Sequence, residues 1–412
     1  MPIITSIRGR IVFNSRGSKT VEVDIITDGK FMGRACAPSG ASVGKLEAQS
    51  FPQNKPEEAL RTLNDNINKF VGLEAENRQQ VYEVLKSIDK TDNYSKVGGS
   101  VAYAVSIAAV ESAANALDVP LFQLLKPNKP YKFPRPLGNV LGGGAHAGPG
   151  TPDVQEILVC PLGAKNIMEA LEMNFKVHFE TRKVIESLDK RFTYGKGDEG
   201  AWAPNVNNDQ ALEIVEKAIR NCGFTLGKDM AMGIDFASSS FWNVGKKVYD
   251  YVRQGVTRDA SQQIEFANKL AHDYDLVYVE DPVHEGDFES MAILTKKNPQ
   301  TLVTGDDMLV TNANKIRESA KYTACSGAIL KVNQAGSLHE AMTFAEECEN
   351  NNIKIITSHR SGESNDSHIS HIAIATNSKM LKSGVLGGER VAKLNELLRI
   401  TEYNLITEMQ DL

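Results

Sequence analysis

The chain has little with which to build a disulfide scaffold, a membrane anchor or a nucleic-acid footprint. Its five cysteines (Cys36, Cys160, Cys222, Cys325 and Cys348) are odd in number and form no C-x-x-C. They read as reduced, buried thiols of a cytosolic protein. There is no long basic run, and the net charge is −6, which argues against a nucleic-acid partner. The longest apolar stretch, 101–110, is broken by Ser106 and is short for a membrane span. Met1-Pro-Ile-Ile-Thr5 has neither the basic start nor the apolar core of a secretory signal. The expectation is a cytoplasmic protein with no membrane partner. Nucleotide-binding glycine motifs are missing: neither Gly142-Gly-Gly-Ala-His-Ala-Gly148 nor Gly195-Lys-Gly-Asp-Glu-Gly200 fits G-x-G-x-x-G or a P-loop. No H-E-x-x-H exists either, and His368 and His371, three apart, read as a solvated helix face.

What is present is an ordinary globular composition, 41% hydrophobic and 24% charged over 412 residues. That length leaves room for a barrel of about 250 residues and a second domain. Residues 3–36 hold two or three strands, with Asp28-Gly29 as a hairpin turn. A loop of small residues follows from Pro38 to Gly44, then helices opening at Pro56 and spanning 76–88 and 100–117, the last apolar on most faces. Four prolines (Pro127, Pro130, Pro134, Pro136) mark a boundary. Beyond it, apolar runs alternate with helical stretches at 166–188, 209–221, 261–274 and 337–350, an α/β barrel pattern.

Five of the apolar runs end in a residue that can do chemistry: Asp235, Glu280, Asp306, Lys331 and His359. The last four lie 25 to 28 residues apart, close to the roughly 30 residues of a strand–helix unit. In such barrels active sites lie at the carboxyl ends of the strands. Three carboxylates on three strand ends suit Mg²⁺, which takes few carboxylates and keeps positions for water and substrate. Pairing of each carboxylate with a neighbouring cation is the alternative. A lysine at a buried strand end can have its pKa lowered from about 10.4 towards the ~7–8 of a general base. His359-Arg360-Ser361-Gly362 offers a guanidinium fork and a hydroxyl to an anion. The residues alone point to a Mg²⁺-dependent barrel enzyme with a lysine base and an anionic substrate.

The chain also resembles the enolase (phosphopyruvate hydratase) family over almost its whole length. The resemblance is carried by Asn14-Ser-Arg-Gly17, Ser39-Gly-Ala-Ser42, Gly142 to Gly148, Gln155-Glu156, Gly197-Asp-Glu-Gly200, Glu280-Asp-Pro282, Gly305-Asp-Asp307, Leu330-Lys-Val-Asn-Gln334, Ser358-His-Arg-Ser-Gly-Glu363 and the 389–399 stretch. It implies an α/β fold in which a small α+β capping domain (1–130, with a mobile loop at 38–51) precedes an enolase-type (β/α)₈ TIM barrel (137–412). It implies interconversion of 2-phosphoglycerate and phosphoenolpyruvate plus water. By the same resemblance Lys331 removes the carbon-2 proton, and Glu199, supported by Glu156, helps expel the carbon-3 hydroxyl. Asp235, Glu280 and Asp306 hold one Mg²⁺ and Ser42 helps hold a second. Lys382 faces the substrate carboxylate, Arg360 and Ser361 hold the phosphate, and His146 and His359 line the pocket. A homodimer, or an octamer of dimers, is the implied assembly. A superfamily relative acting on another α-proton carboxylate, or a non-catalytic binding paralogue, are the other readings. Both are opposed by the presence of the whole residue set.

The departures from the family pattern fall around the loop. Val43 replaces a threonine, Glu47-Ala-Gln-Ser-Phe51 lacks the usual acidic and Arg-Asp run, and Asn14 replaces an aspartate. Ser240 and His368-Ile-Ser-His371 also differ. The resulting expectation is a loop that closes less firmly and a second Mg²⁺ site that needs more metal.

Overall fold

The computed structural model describes residues 1–40, 44, 46–128 and 130–412. Three antiparallel strands come first: β1 (Ile4–Phe13), β2 (Lys19–Thr27) and β3 (Phe31–Cys36). The turn between β2 and β3 places Asp28 and Gly29 at φ 53° and 67°, as the left-handed residues of a tight hairpin require. One face of this sheet is covered by the helix Gly99–Leu117, most of whose residues are buried. That helix is long and apolar enough to cross a membrane by length and composition, but 78% of its apolar window is buried inside the protein. Its role is a core. Contact with the sheet is so close that a Cβ on Gly33 would lie 2.1 Å from the Ala108 carbonyl oxygen.

Eight strands then close a barrel: β4 (Arg135–Gly142), β5 (Glu156–Cys160), β6 (Ala231–Asp235), β10 (Tyr278–Glu280), β11 (Leu302–Gly305), β12 (Gly327–Leu330), β13 (Lys354–Ser358) and β14 (Met380–Gly384). Between β6 and β10 lies a small antiparallel sheet of β7 (Trp242–Asn243), β8 (Val248–Tyr251) and β9 (Val256–Arg258). This insertion accounts for the wide gap between Asp235 and Glu280.

The barrel is not uniformly parallel. β5 runs antiparallel to both β4 and β6. A parallel pair needs a crossover of about a dozen residues, usually with a helix, whereas the 143–155 connection contains only the short 3₁₀ turn Gly144–His146. The chain therefore doubles back. Reversal has a consequence for the site: Glu156, the first residue of β5, pairs with Gly142 and Asp235 at the ends of its neighbours. It reaches the mouth from the opposite strand direction.

The sheet domain is fastened to that mouth. Ser39 and Gly362 exchange two backbone hydrogen bonds (2.7 and 2.9 Å). Ser15 N–H donates to the Glu363 carbonyl (2.8 Å), and Cys36 N–H donates to Asp366 Oδ2 (2.6 Å). The expected solvated face at His368 and His371 is not found. Helix His368–Ala375 is wholly buried, with His368 within 3.2 Å of Glu111 and His371 within 3.1 Å of Glu396. Packing between the two domains removes every face of that helix from water, and the carboxylates supply partners for the rings.

Candidate active site

Barrel closure sets the strand ends level. Glu280 is in register with Asp235, Ser358 with Lys382, and Gly384 with Asn139. One cavity is lined by His146, Glu156, Glu199, Asp235, Asp306, Lys331, His359, Arg360, Ser361 and Lys382. Glu280 does not line it but is fully buried and joins the same group through Lys382. Every expected site residue but one is thus brought together. The exception, Ser42, lies outside the described residues.

Two lysines organise the carboxylates. Lys382 Nζ is 2.9 Å from Asp235 Oδ2, contacts Glu280 Oε2, and is 3.3 Å from Glu156 Oε1. Lys331 Nζ is hydrogen-bonded to Asp306 Oδ2. Burial opposes the charge on each lysine, yet Asp306 holds Lys331, and Asp235 with Glu156 and Glu280 holds Lys382, above the ordinary lysine value. The expected lowering of Lys331 does not occur here, because the nearest charge is a carboxylate rather than a cation. Burial and the Asp235 charge push the Glu280 carboxyl up to about 8, with Lys382 opposing.

The carboxylate set has the donor chemistry of a divalent-cation site, its oxygens being engaged here by Lys382 and Lys331. Asp235, Glu280 and Asp306 are hard oxygen donors at one barrel end, and Glu280 Oε1 is buried with no hydrogen-bond partner among the described residues. Among the described residues, the acidic groups whose ligand atoms already converge closely enough to hold an ion are His146 with Glu156 and Glu199, and Asp281 with Asp306 and Asp307. Asp281, however, spends its oxygens on the backbone N–H groups of Asp306 (3.0 Å) and Asp307 (2.8 Å). It braces the turn that presents Asp306.

In the same cavity His146 Nδ1 stands 3.3 Å from Glu156 and 3.4 Å from Glu199. Burial opposes a charge on His146, but Glu199 and Glu156 raise it to about 9. Burial likewise opposes the Glu199 charge, and His146 and His359 overcome it, holding that carboxyl well below the usual range. Glu156 moves the other way, raised by burial and by the charge of Glu199. Two carboxyls whose environments push them apart divide acid and base roles between them. The 197–200 loop is seated tightly: a Cβ on Gly384 would lie 2.0 Å from the Glu199 carbonyl oxygen.

The third wall carries the anion chemistry. Arg360 is buried, and its Nη1 lies 2.9 Å from Glu47 Oε2. Sequence alone assigns Glu47 no role and leaves its loop short of closing contacts. Among the described residues that segment is docked: Ala48 N–H donates to the Gln334 carbonyl (2.8 Å) and Gln49 N–H to the Asn93 carbonyl (2.7 Å). Gln334 belongs to a family motif but has no function on sequence grounds. Its amide donates to Asp306 Oδ1 (2.9 Å) and accepts from Thr311 (2.8 Å), whose hydroxyl also receives the Lys331 backbone N–H (2.9 Å). Val310 and Thr311 both sit at left-handed φ, 42° and 50°, a costly place for β-branched residues. That turn aims the hydroxyl.

Two family models match the chain: "Enolase, N-terminal domain" over residues 4–125 and "Enolase, C-terminal TIM barrel domain" over 130–409. The enolase of Methanosphaera stadtmanae is 43% identical over 412 residues, covering 100% of this chain and 99% of that protein. That of Methanothermobacter thermautotrophicus is 42% identical over the same shares. The Pyrobaculum aerophilum enolase is 41% identical over 403 residues, 96% of this chain and 95% of that protein. Full-length identity of this order, added to a barrel whose mouth gathers the expected lysines, carboxylates and histidines, means that the chain belongs to the enolase family.

Proposed function

We infer that the protein is a hydro-lyase interconverting 2-phosphoglycerate with phosphoenolpyruvate and water. The observation that carries this reading is that Lys331 and the Glu156–His146–Glu199 group line one cavity. Such an arrangement suits removal of a proton from one carbon and a hydroxyl from the next.

A proton next to a carboxylate is a very poor acid, and its loss loads a second negative charge on that carboxylate. Asp235, Glu280 and Asp306 would hold a divalent cation, Mg²⁺ in this reading, and Ser42 would contribute to a second. Bound Mg²⁺ supplies positive charge against the developing dianion; a Lys base with one or two Mg²⁺ is an established pattern of enolase-superfamily sites. Lys382 adds its own ammonium at the carboxylate end. Lys331 takes the carbon-2 proton as its amine, which requires Asp306 to be engaged elsewhere. Arg360 and Ser361 orient the phosphate, with a guanidinium fork suited to paired oxygens. At carbon 3, Glu199 is the carboxylate nearest both histidines, and the proton for the departing hydroxyl is drawn from the Glu156–His146–Glu199 group. A cytoplasmic homodimer, or an octamer of dimers, rests on family resemblance alone.

The test is absorbance of phosphoenolpyruvate formed from 2-phosphoglycerate. Turnover that requires Mg²⁺ and stops on chelation is expected. Absence of product at saturating Mg²⁺ would overturn the reading.

A further inference from the structure

Arg390 is a fully buried arginine in helix Gly388–Thr401, and nothing in the proposed chemistry calls for it. Its Nη1 lies 2.9 Å from His359 Nδ1 and also donates to the Arg360 carbonyl. Its Nη2 donates to the carbonyls of Ser361 (2.7 Å) and Asp198 (3.1 Å). The Gly384 N–H also points at His359 Nδ1, from 3.4 Å. We propose that Arg390 is a positioning residue that holds His359 as the neutral Nε2–H tautomer, so that the ring offers a hydrogen-bond donor to the Glu199 side of the cavity.

The argument follows from what each group can do. A guanidinium has five N–H donors and no acceptor, and it stays charged. A nitrogen that receives its N–H must present a lone pair. His359 Nδ1 therefore carries no proton, and the single ring proton sits on Nε2. That atom is buried and makes no aligned hydrogen bond among the described residues, while Glu199 Oε2 lies 3.3 Å away. An unspent donor thus faces the carboxylate and the space beside it.

The charged groups around the ring all bear on this. Glu199 comes from the 197–200 loop, Arg390 from the last helix and Glu363 from the ring's own loop. Lys382 stands on the adjacent strand, where its carbonyl receives the His359 N–H (3.1 Å). Burial pushes the imidazole down to about 4, Arg390 adding to the effect and Glu199 opposing it. His146 is the contrast: it has no cation on its far nitrogen among the described contacts and is raised to about 9 between its two carboxylates. Two histidines flank Glu199, one a cation and one a neutral donor. The catalytic consequence rests on Glu199 acting at the carbon-3 hydroxyl: His359 can then stabilise the carboxylate or the leaving oxygen without competing for its proton.

Long-range ¹H–¹⁵N correlation on the full-length protein with ¹⁵N-labelled histidine tests this. His359 is assigned by the signal lost in His359→Gln. A bare Nδ1 and protonated Nε2, unchanged from pH 5 to 8, are expected. An Nδ1–H tautomer or an imidazolium at pH 7 would overturn the proposal. In Arg390→Met, an Nδ1–H tautomer or an imidazolium should appear within that range and dehydration should fall about 10–100-fold, the scale seen when the outer hydrogen-bond partner of a metal-bound histidine is removed, with Arg390→Lys recovering part of it. An unchanged His359 spectrum in Arg390→Met would assign the lock to Gly384 and overturn the role of Arg390. If Arg390→Met does not fold, a ¹⁵N–¹⁵N coupling across the hydrogen bond in the wild type reads the same contact, and its absence counts against it. A wild type with this tautomer but no turnover of 2-phosphoglycerate would sink the functional reading and leave the tautomer standing.

Discussion

One half of the active site is made by strands and the other by loops. Asp235, Glu280 and Lys382 belong to barrel strands, and Asp306 and Lys331 directly follow theirs. Their mutual positions follow from barrel closure and register. His359, Arg360 and Ser361 follow β13 and depend on distant segments: Glu47, 313 positions away from Arg360, Ser39 through Gly362, and Arg390 from the last helix. The strand half is rigid by construction. The loop half is rigid only as long as its partners stay.

The largest effect should come from the strand half. Replacing Asp235, Glu280 or Asp306 by Ala removes a donor for the cation, and calorimetric Mg²⁺ affinity should fall by more than the ~10–100-fold typical of outer partners. Activity should fall to background. Unchanged Mg²⁺ binding in all three variants would show that the cation sits elsewhere, with the His146–Glu156–Glu199 group, which contains none of the three, the next place to look.

Glu199→Gln should have the next largest effect, and it separates the two chemical events. Removal of the carbon-2 proton depends on Lys331, whereas hydroxyl departure depends on the Glu156–His146–Glu199 group. Dehydration should drop by about 10²–10⁴-fold, the usual worth of general acid–base catalysis, because a neutral amide no longer supports the charge on His146, with carbon-2 exchange less affected. Equal loss of both would mean that Glu199 mainly positions the substrate.

The smallest effect on chemistry is expected at Glu47. Its carboxylate is the buried partner of Arg360, and breaking a buried pair from one side costs about 3–5 kcal/mol. Glu47→Gln should therefore lower the unfolding temperature, with inorganic phosphate recovering more of the loss than it adds to the wild type. Mg²⁺ affinity should stay near the wild-type value. A parallel fall in Mg²⁺ affinity would show that Gln334, which touches both Glu47 (3.4 Å) and Asp306 (2.9 Å), transmits the change between the halves.

This division also explains what is legible in the sequence. Strand-end residues announce themselves, because a buried apolar run ending in a charged residue leaves a local signature and the period of the barrel repeats it. Asp235, Glu280, Asp306, Lys331 and His359 are legible this way. Family resemblance supplies Glu199, His146 and Lys382. The reversal of β5 is not legible in the residues, since periodicity carries no strand direction, and only the short 143–155 connection hints at it. Glu47, Gln334 and Arg390 have no local signature. Arg390 sits in a helix with charges nearby and looks solvated, yet it is fully buried, because its partners are carbonyls and a ring from other parts of the chain. His368 and His371 look solvated for the same reason: His368 is paired with Glu111 of the other domain and His371 with Glu396 of the last helix, partners that lie outside any local window of sequence. The expected fall in the Lys331 pKa fails on a different ground, its nearest neighbour being Asp306.

The central claim is that Lys331 is the base and not a part of the metal site. Deuterium exchange at carbon 2 of 2-phosphoglycerate in Lys331→Ala, measured together with Mg²⁺ affinity, tests it most directly. The account predicts that exchange disappears while Mg²⁺ affinity stays nearly intact, since the ammonium contacts Asp306 without being a ligand. Exchange at the wild-type rate in a folded, Mg²⁺-binding Lys331→Ala variant would contradict it.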